Sequence, residues 1–180
     1  MKKIVAFTGS NNSHSIHSLL VQALANQATQ TEVNTIDLND FELPMYGLDV
    51  EGQGIPENAH KLRATLNEYD AIIIASPEHN GSMPAFLKNA IDWLSRVAPQ
   101  GTSFFGDTKK PVLLVSTSPG ANGGATNIKT MAELMPWWGG DVKGTYSLGG
   151  FYDKFQEGEF DTATSAELSE LMASFEHVIN

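Results

Sequence analysis

Ala71-Ile72-Ile73-Ile74-Ala75 runs without a break into Ser76-Pro77-Glu78-His79-Asn80-Gly81-Ser82-Met83-Pro84-Ala85-Phe86-Leu87-Lys88-Asn89-Ala90-Ile91-Asp92-Trp93. The first five residues form a short apolar run, the pattern of a strand buried on both faces. Pro77 has no N–H with which to continue a ladder, and Gly81 admits backbone conformations closed to other residues. Pro84 suits a first helical turn, where its missing donor costs nothing. Met83, Phe86, Leu87, Ala90, Ile91 and Leu94 then recur at i, i+3, i+4, i+7, i+8 and i+11, so this face, flanked by Trp93, is expected to be buried. Lys88 and Asp92, four apart on the other side, are expected to make an exposed ion pair. Strand, polar loop and helix in this order are one half of a ligand crevice.

The same grammar extends in both directions. Ile4 to Thr8 reads as a first strand, Ile16 to Leu24 as an amphipathic helix and Glu32 to Leu38 as a second strand. A loop from Asn39 to Pro56 and a helix from Glu57 to Glu68 lead to the third strand, Asp70 to Ala75, whose following helix runs to about Arg96. After a loop from Val97 to Lys110 come a strand from Pro111 to Ser116, a helix from Gly124 to about Trp137, and an edge strand from Asp141 to Leu148. The last helix is expected to open on Thr164-Ser165-Ala166-Glu167 as a capping box and to bury Leu168, Leu171, Met172, Phe175 and Ile179. Strands alternating with helices imply a parallel sheet covered on both faces. Five strands suit an α/β three-layer sandwich of flavodoxin-like order 2-1-3-4-5, with the ligand outside the strand ends where the order reverses. No repeat or linker divides the chain, and residues 1–180 are expected to form one domain.

Composition narrows the function. With 180 residues, 41% of them hydrophobic, the chain is long enough to bury a core and has no run long enough to span a membrane. A cytoplasmic protein is the plain reading. The absence of Cys excludes disulfides, thiolate catalysis and cysteine-ligated metal. A net charge of −10 argues against nucleic acid or an anionic membrane surface as partner, because the field repels both. The five His residues lack the spacing of a metal site.

In the expected topology the loops after strands one, three and four converge, and these are the unusual sequences: Gly9-Ser10-Asn11-Asn12-Ser13-His14-Ser15, Pro77 to Ser82, and Thr117-Ser118-Pro119-Gly120-Ala121-Asn122-Gly123-Gly124. The first combines neutral donors with a helix start, whose free N–H groups and dipole favour an anion. It contains no Lys or Arg and no Walker pattern, which favours a terminal monophosphate over a triphosphate. Ser and Asn also cap helices in any strand-to-helix junction, so this loop alone leaves both readings open.

Pro77-Glu78-His79-Asn80-Gly81-Ser82 followed by Leu87-Lys88-Asn89-Ala90-Ile91-Asp92-Trp93 resembles the signature of the NAD(P)H-dependent FMN reductases, a group that includes quinone, chromate and azo-dye reductases. Gly9-Ser10 and Ser15 are similar to its phosphate loop. Lys110-Pro111 through Ser116, then Ser118-Pro119-Gly120 and Gly123-Gly124, are similar to its third loop. The resemblance runs from the first strand to about Gly140. It implies FMN as cofactor, NADPH or NADH as donor, and a quinone, free flavin or similar small molecule as acceptor. It places Ser10, Asn12, Ser15, Ile16 and His17 on the FMN phosphate. Pro77, Glu78, His79, Asn80, Gly81 and Ser82 fall along the ring and ribityl chain, with Ser116, Ser118 and Gly120 on the third side. Three positions depart from the family's usual residues: Asn12 stands in place of Arg, His17 in place of Asn, and His79 in place of Tyr.

Because hydride transfer is flavin chemistry, the resemblance implies ping-pong kinetics with binding residues only and no catalytic side chain. Glu78 is expected to accept hydrogen bonds from loop amides, and backbone N–H groups near His79 and Asn80 to face the flavin ring. A homodimer or homotetramer is implied by the resemblance alone. Of Trp137 and Trp138, one is expected in the core and the other at the rim, and Phe104-Phe105 is expected to be exposed. A flavodoxin-type electron carrier and a phosphate-ligand protein that has lost flavin are the competing readings.

Overall fold

The computed structural model describes all 180 residues. Strands β1 (Lys3–Thr8), β2 (Glu32–Thr35), β3 (Ala71–Ala75), β4 (Lys110–Thr117) and β5 (Gly140–Leu148) form one sheet of order β2-β1-β3-β4-β5. Every neighbouring pair is parallel, with Val5 opposite Asn34 and Ile72, and Ile73 opposite Leu113. This is the expected flavodoxin-like topology. The long helices are α1 (Ile16–Ala25), α3 (Glu57–Asn67), α4 (Ala85–Val97) and α5 (Ala125–Leu134), with the short α2 (Leu48–Glu51) in the loop before α3. After β5 come α6 (Phe151–Lys154), a small hairpin of β6 (Phe155–Gln156) and β7 (Glu159–Phe160), and α7 (Thr162–Ile179).

Strand alternation builds two cores on opposite faces of the sheet. Val5, Phe7, Ile72 and Ile74 pack with Leu62 and Leu66 of α3 and with Leu87, Ile91 and Leu94 of α4. Ile4, Ala6 and Ile73 pack with Leu20 and Leu24 of α1 and with Leu168, Met172 and Phe175 of α7. A side-chain period of two sends neighbouring residues of one strand to different cores, which is why these runs are continuously apolar. The apolar stripe of α4 is buried as expected, Phe86 partly so, and Lys88 Nζ lies 2.6 Å from Asp92 Oδ1 on the outer side. The indole N–H of Trp93 donates to the Pro44 carbonyl at 2.7 Å, and the Asn89 amide donates to the same oxygen at 3.0 Å, strapping the loop before α2 onto α4. Trp138 is in the core while Trp137 is 82% exposed, the division that adjacent indoles require.

Several local expectations are corrected. Phe105 is fully buried and Phe104 packs partly against the core. Their loop is drawn inward by Arg63, which donates to the Gly106 carbonyl at 2.7 Å, and by the Ser103 hydroxyl, which donates to the Gly139 carbonyl at 3.0 Å. The second strand ends at Thr35, and Leu38–Asp40 is a 3-10 turn begun by Asp37, which accepts from the Asn39 N–H at 2.9 Å. The helix expected to reach Trp137 ends at Leu134 and tightens into a 3-10 turn over Met135–Trp138, since Pro136 has no N–H to donate. α7 starts before the Thr164 capping box: Asp161 is its cap, accepting from the Thr164 N–H at 2.7 Å. The hairpin ahead of it escaped the sequence. Its turn uses left-handed Glu157 (φ 55°) and Gly158 (φ 91°), and Phe155 and Phe160 pack against each other at 4.8 Å and against Phe151.

α7 is held to the opposite end of the sheet from the site by a buried carboxylate. Glu176 accepts from the N–H groups of Thr29 and Gln30 and the hydroxyls of Thr29 and Thr31, at 2.7–3.3 Å. Burial pushes its pKa up, but the donors of Gln30, Thr31 and Thr29 outweigh that and hold it below the usual glutamate range. A depressed carboxylate stabilises the fold above its unfolded pKa of about 4.3, and that contribution is lost as the pH falls through the lower folded value. Glu176→Gln is therefore expected to cost about 1–3 kcal/mol at pH 7. The wild-type advantage should shrink below about pH 4 when both proteins are unfolded in urea.

Candidate functional site

The loops after β1, β3 and β4 meet at the carboxyl edge of the sheet, as the topology requires. The loop before α1 is organised by its own side chains. Thr8 Oγ1 accepts from the Ser10 N–H, Ser10 Oγ from the Asn12 N–H, Asn12 Oδ1 from the His14 N–H, and Ser15 Oγ from the His17 N–H, at 2.9–3.2 Å. These turns leave the N–H groups of Asn11, Ser13 and Ile16 without a protein acceptor at the start of a ten-residue helix. Neutral donors on a positive dipole end are a fitting cradle for a phosphomonoester.

A pocket of about 410 Å³ opens over this loop. It gathers seven of the expected residues, Ser10, Asn12, Ser15, Ile16, His17, Pro77 and His79, together with Asn11, His14 and Tyr152. Tyr152 was missed by the sequence reading. It follows Leu148-Gly149-Gly150 at the end of β5, so the signal was present: the fifth strand leading through glycines into a helix. The other expected residues do not line this pocket. His79 to Ser82 form a tight turn with left-handed Asn80 (φ 53°) and Gly81 (φ 81°), the twist that an Asn-Gly hairpin turn prefers. The His79 N–H donates to the Ser82 carbonyl at 2.8 Å and is spent, which corrects its expected availability to a ligand, whereas the Asn80 and Gly81 N–H groups have no protein acceptor. Ser118 and Gly120 stand in the third loop, tied to the chain after β5 by Gly150 N–H to the Gly120 carbonyl and Phe151 N–H to the Ser118 carbonyl, each at 3.0 Å.

Beneath the pocket lies a buried polar network. Ser116 is fully buried and its hydroxyl donates to the Ser76 carbonyl at 2.7 Å. Asn127 on α5, also fully buried, donates through Nδ2 to Ser76 Oγ at 2.8 Å and to the Pro77 carbonyl at 2.9 Å. Glu78 turns away from the pocket and accepts from the Asn127 N–H at 3.0 Å, the structural acceptor role expected of it. His17 reaches the network from the other side. Its Nε2 accepts from the Thr117 N–H at 3.3 Å, replacing the strand partner that β3 no longer supplies once Pro77 leaves the sheet. An accepting Nε2 puts the ring proton on Nδ1. Burial, and then the neighbouring His79, lower the His17 pKa to about 4, so the ring is neutral at pH 7.

No helix is long and apolar enough to cross a membrane. The model of the family described as NADPH-dependent FMN reductase matches residues 2–152. An uncharacterised Mycoplasma pneumoniae protein is 30% identical over 152 residues, 84% of this chain and 90% of that one. A quinone reductase of Pseudomonas putida is 37% identical over 122 residues, 67% of this chain, and the match spans only 62% of the length of that reductase. The solved structure of FerB, a flavoenzyme NAD(P)H:(acceptor) oxidoreductase from Paracoccus denitrificans, superposes with a TM-score of 0.82 over 99% of this chain and 97% of its own, at 24% identity, a likeness of fold. With the family model covering the sheet and all three loops, the chain belongs to the NADPH-dependent FMN reductase family, oxidoreductases that work with FMN and a nicotinamide donor.

Proposed function

We propose that residues 1–180 form a single FMN-binding oxidoreductase domain that takes two electrons from NADPH or NADH and passes them to a quinone, free flavin or similar small acceptor. The observation that carries this reading is the pocket over the β1 loop, with unspent N–H donors at a helix start and no fixed charge to demand more than a monophosphate. Asn11 and Ile16, which line that pocket, would hold the phosphate through their backbone, with Ser10 and Ser15 shaping the loop. The free N–H groups of Asn80 and Gly81 would face the ring edge. Bound there, FMN supplies the hydride chemistry. The residues of this chain bind and orient, and none is needed as an acid or base. One open face serving donor and acceptor in turn gives ping-pong kinetics. The quinone reductase relatives support a small acceptor, and the reading includes a cytoplasmic setting and a homodimer or homotetramer.

The test is an anaerobic visible spectrum with FMN added, before and after one equivalent of NADPH and then of NADH. Bleaching of bound flavin within seconds is the expected result, and the faster nucleotide identifies the donor. Flavin that binds but is bleached by neither would replace this reading with an electron carrier. Flavin that fails to bind would remove the site assignment.

A further inference from the structure

The chain contains two Asn-Gly pairs, Asn80-Gly81 and Asn122-Gly123, in the loops after β3 and β4. Such a pair carries its own chemistry, because the backbone nitrogen of the glycine can attack the side-chain amide carbon of the asparagine and no Cβ hinders the approach. Folding decides whether that attack is possible, and it treats the two pairs oppositely. At Asn80 neither reacting group is engaged. The side chain is exposed and has no protein hydrogen bond, the Gly81 N–H has no protein acceptor, and a Cβ placed on Gly81 would meet nothing within 4 Å. The tip of the turn is held only at its feet, by the His79 N–H on the Ser82 carbonyl at 2.8 Å and the Ser82 N–H on the His79 carbonyl at 3.2 Å. At Asn122 both groups are tied down. The Gly123 N–H donates to Ser118 Oγ at 3.0 Å, and Asn122 Nδ2 donates to Glu78 Oε2 at 3.4 Å. The carbonyls of Asn122 and Gly123 accept from Ser147 Oγ at 3.1 and 2.9 Å, and a Cβ on Gly123 would stand 2.7 Å from the Gly149 nitrogen, so this peptide is packed as well as bonded.

We propose that Asn80 is a deamidation site in the flavin-free protein, open to spontaneous conversion to aspartate and isoaspartate, and that bound flavin shields it. In the first step a bond forms from the Gly81 nitrogen to Asn80 Cγ, closing a succinimide ring, while the Cγ–Nδ2 bond breaks and ammonia leaves with the proton that the Gly81 nitrogen gives up. Water then opens the ring. Cleavage between the Gly81 nitrogen and Cγ gives aspartate; cleavage between that nitrogen and the Asn80 carbonyl carbon gives isoaspartate, with the chain running through Cγ. No electrons are gained or lost. Either product puts a carboxylate beside the unspent donors of the turn, and in a chain of net charge −10 it adds to the field that repels an anion. The shielding rests on the function proposed above, in which the Asn80 and Gly81 N–H groups face the flavin ring edge.

The experiment incubates flavin-free wild type at mildly alkaline pH, in buffer, in urea and with saturating FMN, and follows each asparagine by peptide mass spectrometry and by labelling with an isoaspartyl methyltransferase. In urea the two pairs are expected to react alike, since only local sequence acts there. In the folded protein Asn80 is expected to react about tenfold faster than Asn122 or more, because hydrogen bonds to both reacting groups must open at Asn122 before its ring can close. Comparable rates at the two pairs in the folded protein, or reaction at neither when urea exposes both, would overturn the proposal. Saturating FMN is expected to slow the loss of Asn80 about tenfold, and an unchanged rate with FMN visibly bound would refute the shielding. Asn80→Asp carries the charge of the product from the start and is expected to bind FMN about fivefold more weakly than wild type, whereas equal binding would overturn the cost assigned to the new carboxylate. FMN that fails to bind at all would bring down the flavin assignment and the shielding with it, while the reactivity of Asn80 would still stand or fall on the comparison with Asn122.

Discussion

Gly124→Ala is expected to lower stability by about 2–5 kcal/mol and to abolish the ordered floor of the pocket. The residue caps α5 in the left-handed region, φ +81°, where an added methyl group is strained in any surroundings. Here the surroundings are also closed: a Cβ would stand 2.0 Å from Ser116 Oγ and 2.8 Å from its Cβ. The hydroxyl would have to abandon the Ser76 carbonyl, leaving a buried acceptor unpaired at the point where β3 turns into the site loop. Gly120→Ala is the control, since a Cβ there meets nothing within 4 Å and the backbone is not left-handed. The urea midpoint of Gly124→Ala should fall steeply and that of Gly120→Ala hardly move. A small effect for Gly124→Ala would mean that the floor repacks, contrary to the tight contacts described.

Asn127→Leu is the second large effect, about 2–5 kcal/mol. Leucine keeps the branch at Cγ, but its two methyl groups are bulkier than an amide, so lost hydrogen bonds and local overpacking act together in this fully buried position. Nδ2 is the donor that meets Ser76 Oγ, the Pro77 carbonyl and, at 3.4 Å, the Ser76 carbonyl. Oδ1 has no partner in the structure, so the hydrogen-bond share of the penalty falls on the acceptors left behind. Because those acceptors belong to the start of the Pro77–Ser82 loop, the variant should lose flavin affinity along with stability. Equilibrium unfolding together with an FMN titration reads both. Unchanged flavin binding in a destabilised but folded variant would show that the loop does not need its buried anchor.

Much of this architecture was legible because the signals are local. Ile72 to Ile74 and Val112 to Val115 are apolar without interruption, which admits a strand buried on both faces, and the glycines and prolines after them mark where each strand stops. The three loops that converge could be named from the topology alone. Features that depend on distant partners were not legible. The burial of Phe105 is decided by Arg63 reaching from α3, and a Phe pair in a loop otherwise reads as surface. Ser116 at a strand end looks like a ligand contact until Gly124 is found pressed against it. Thr162 to Ser165 offers several equivalent places to begin a helix, and the short hairpin before it delivers Asp161 to the capping position. Tyr152 was passed over because the expected crevice stopped at the third loop, whereas β5 contributes a fourth.

The two cores separated by the sheet have a consequence for how such a protein can change over generations. None of the residues from Gly9 to Ser15, from Ser76 to Ser82 or from Ser118 to Gly124 belongs to either core, although these segments make up most of the binding edge. Folding and ligand choice are thus written in different parts of the chain, joined by a few buried pegs, Ser76, Ser116 and Asn127. Outside those pegs and the packed glycines, connectors can be exchanged between chains that share this sheet with little cost to folding. The departures that the resemblance implies at Asn12 and His79 fall in these segments, outside both cores.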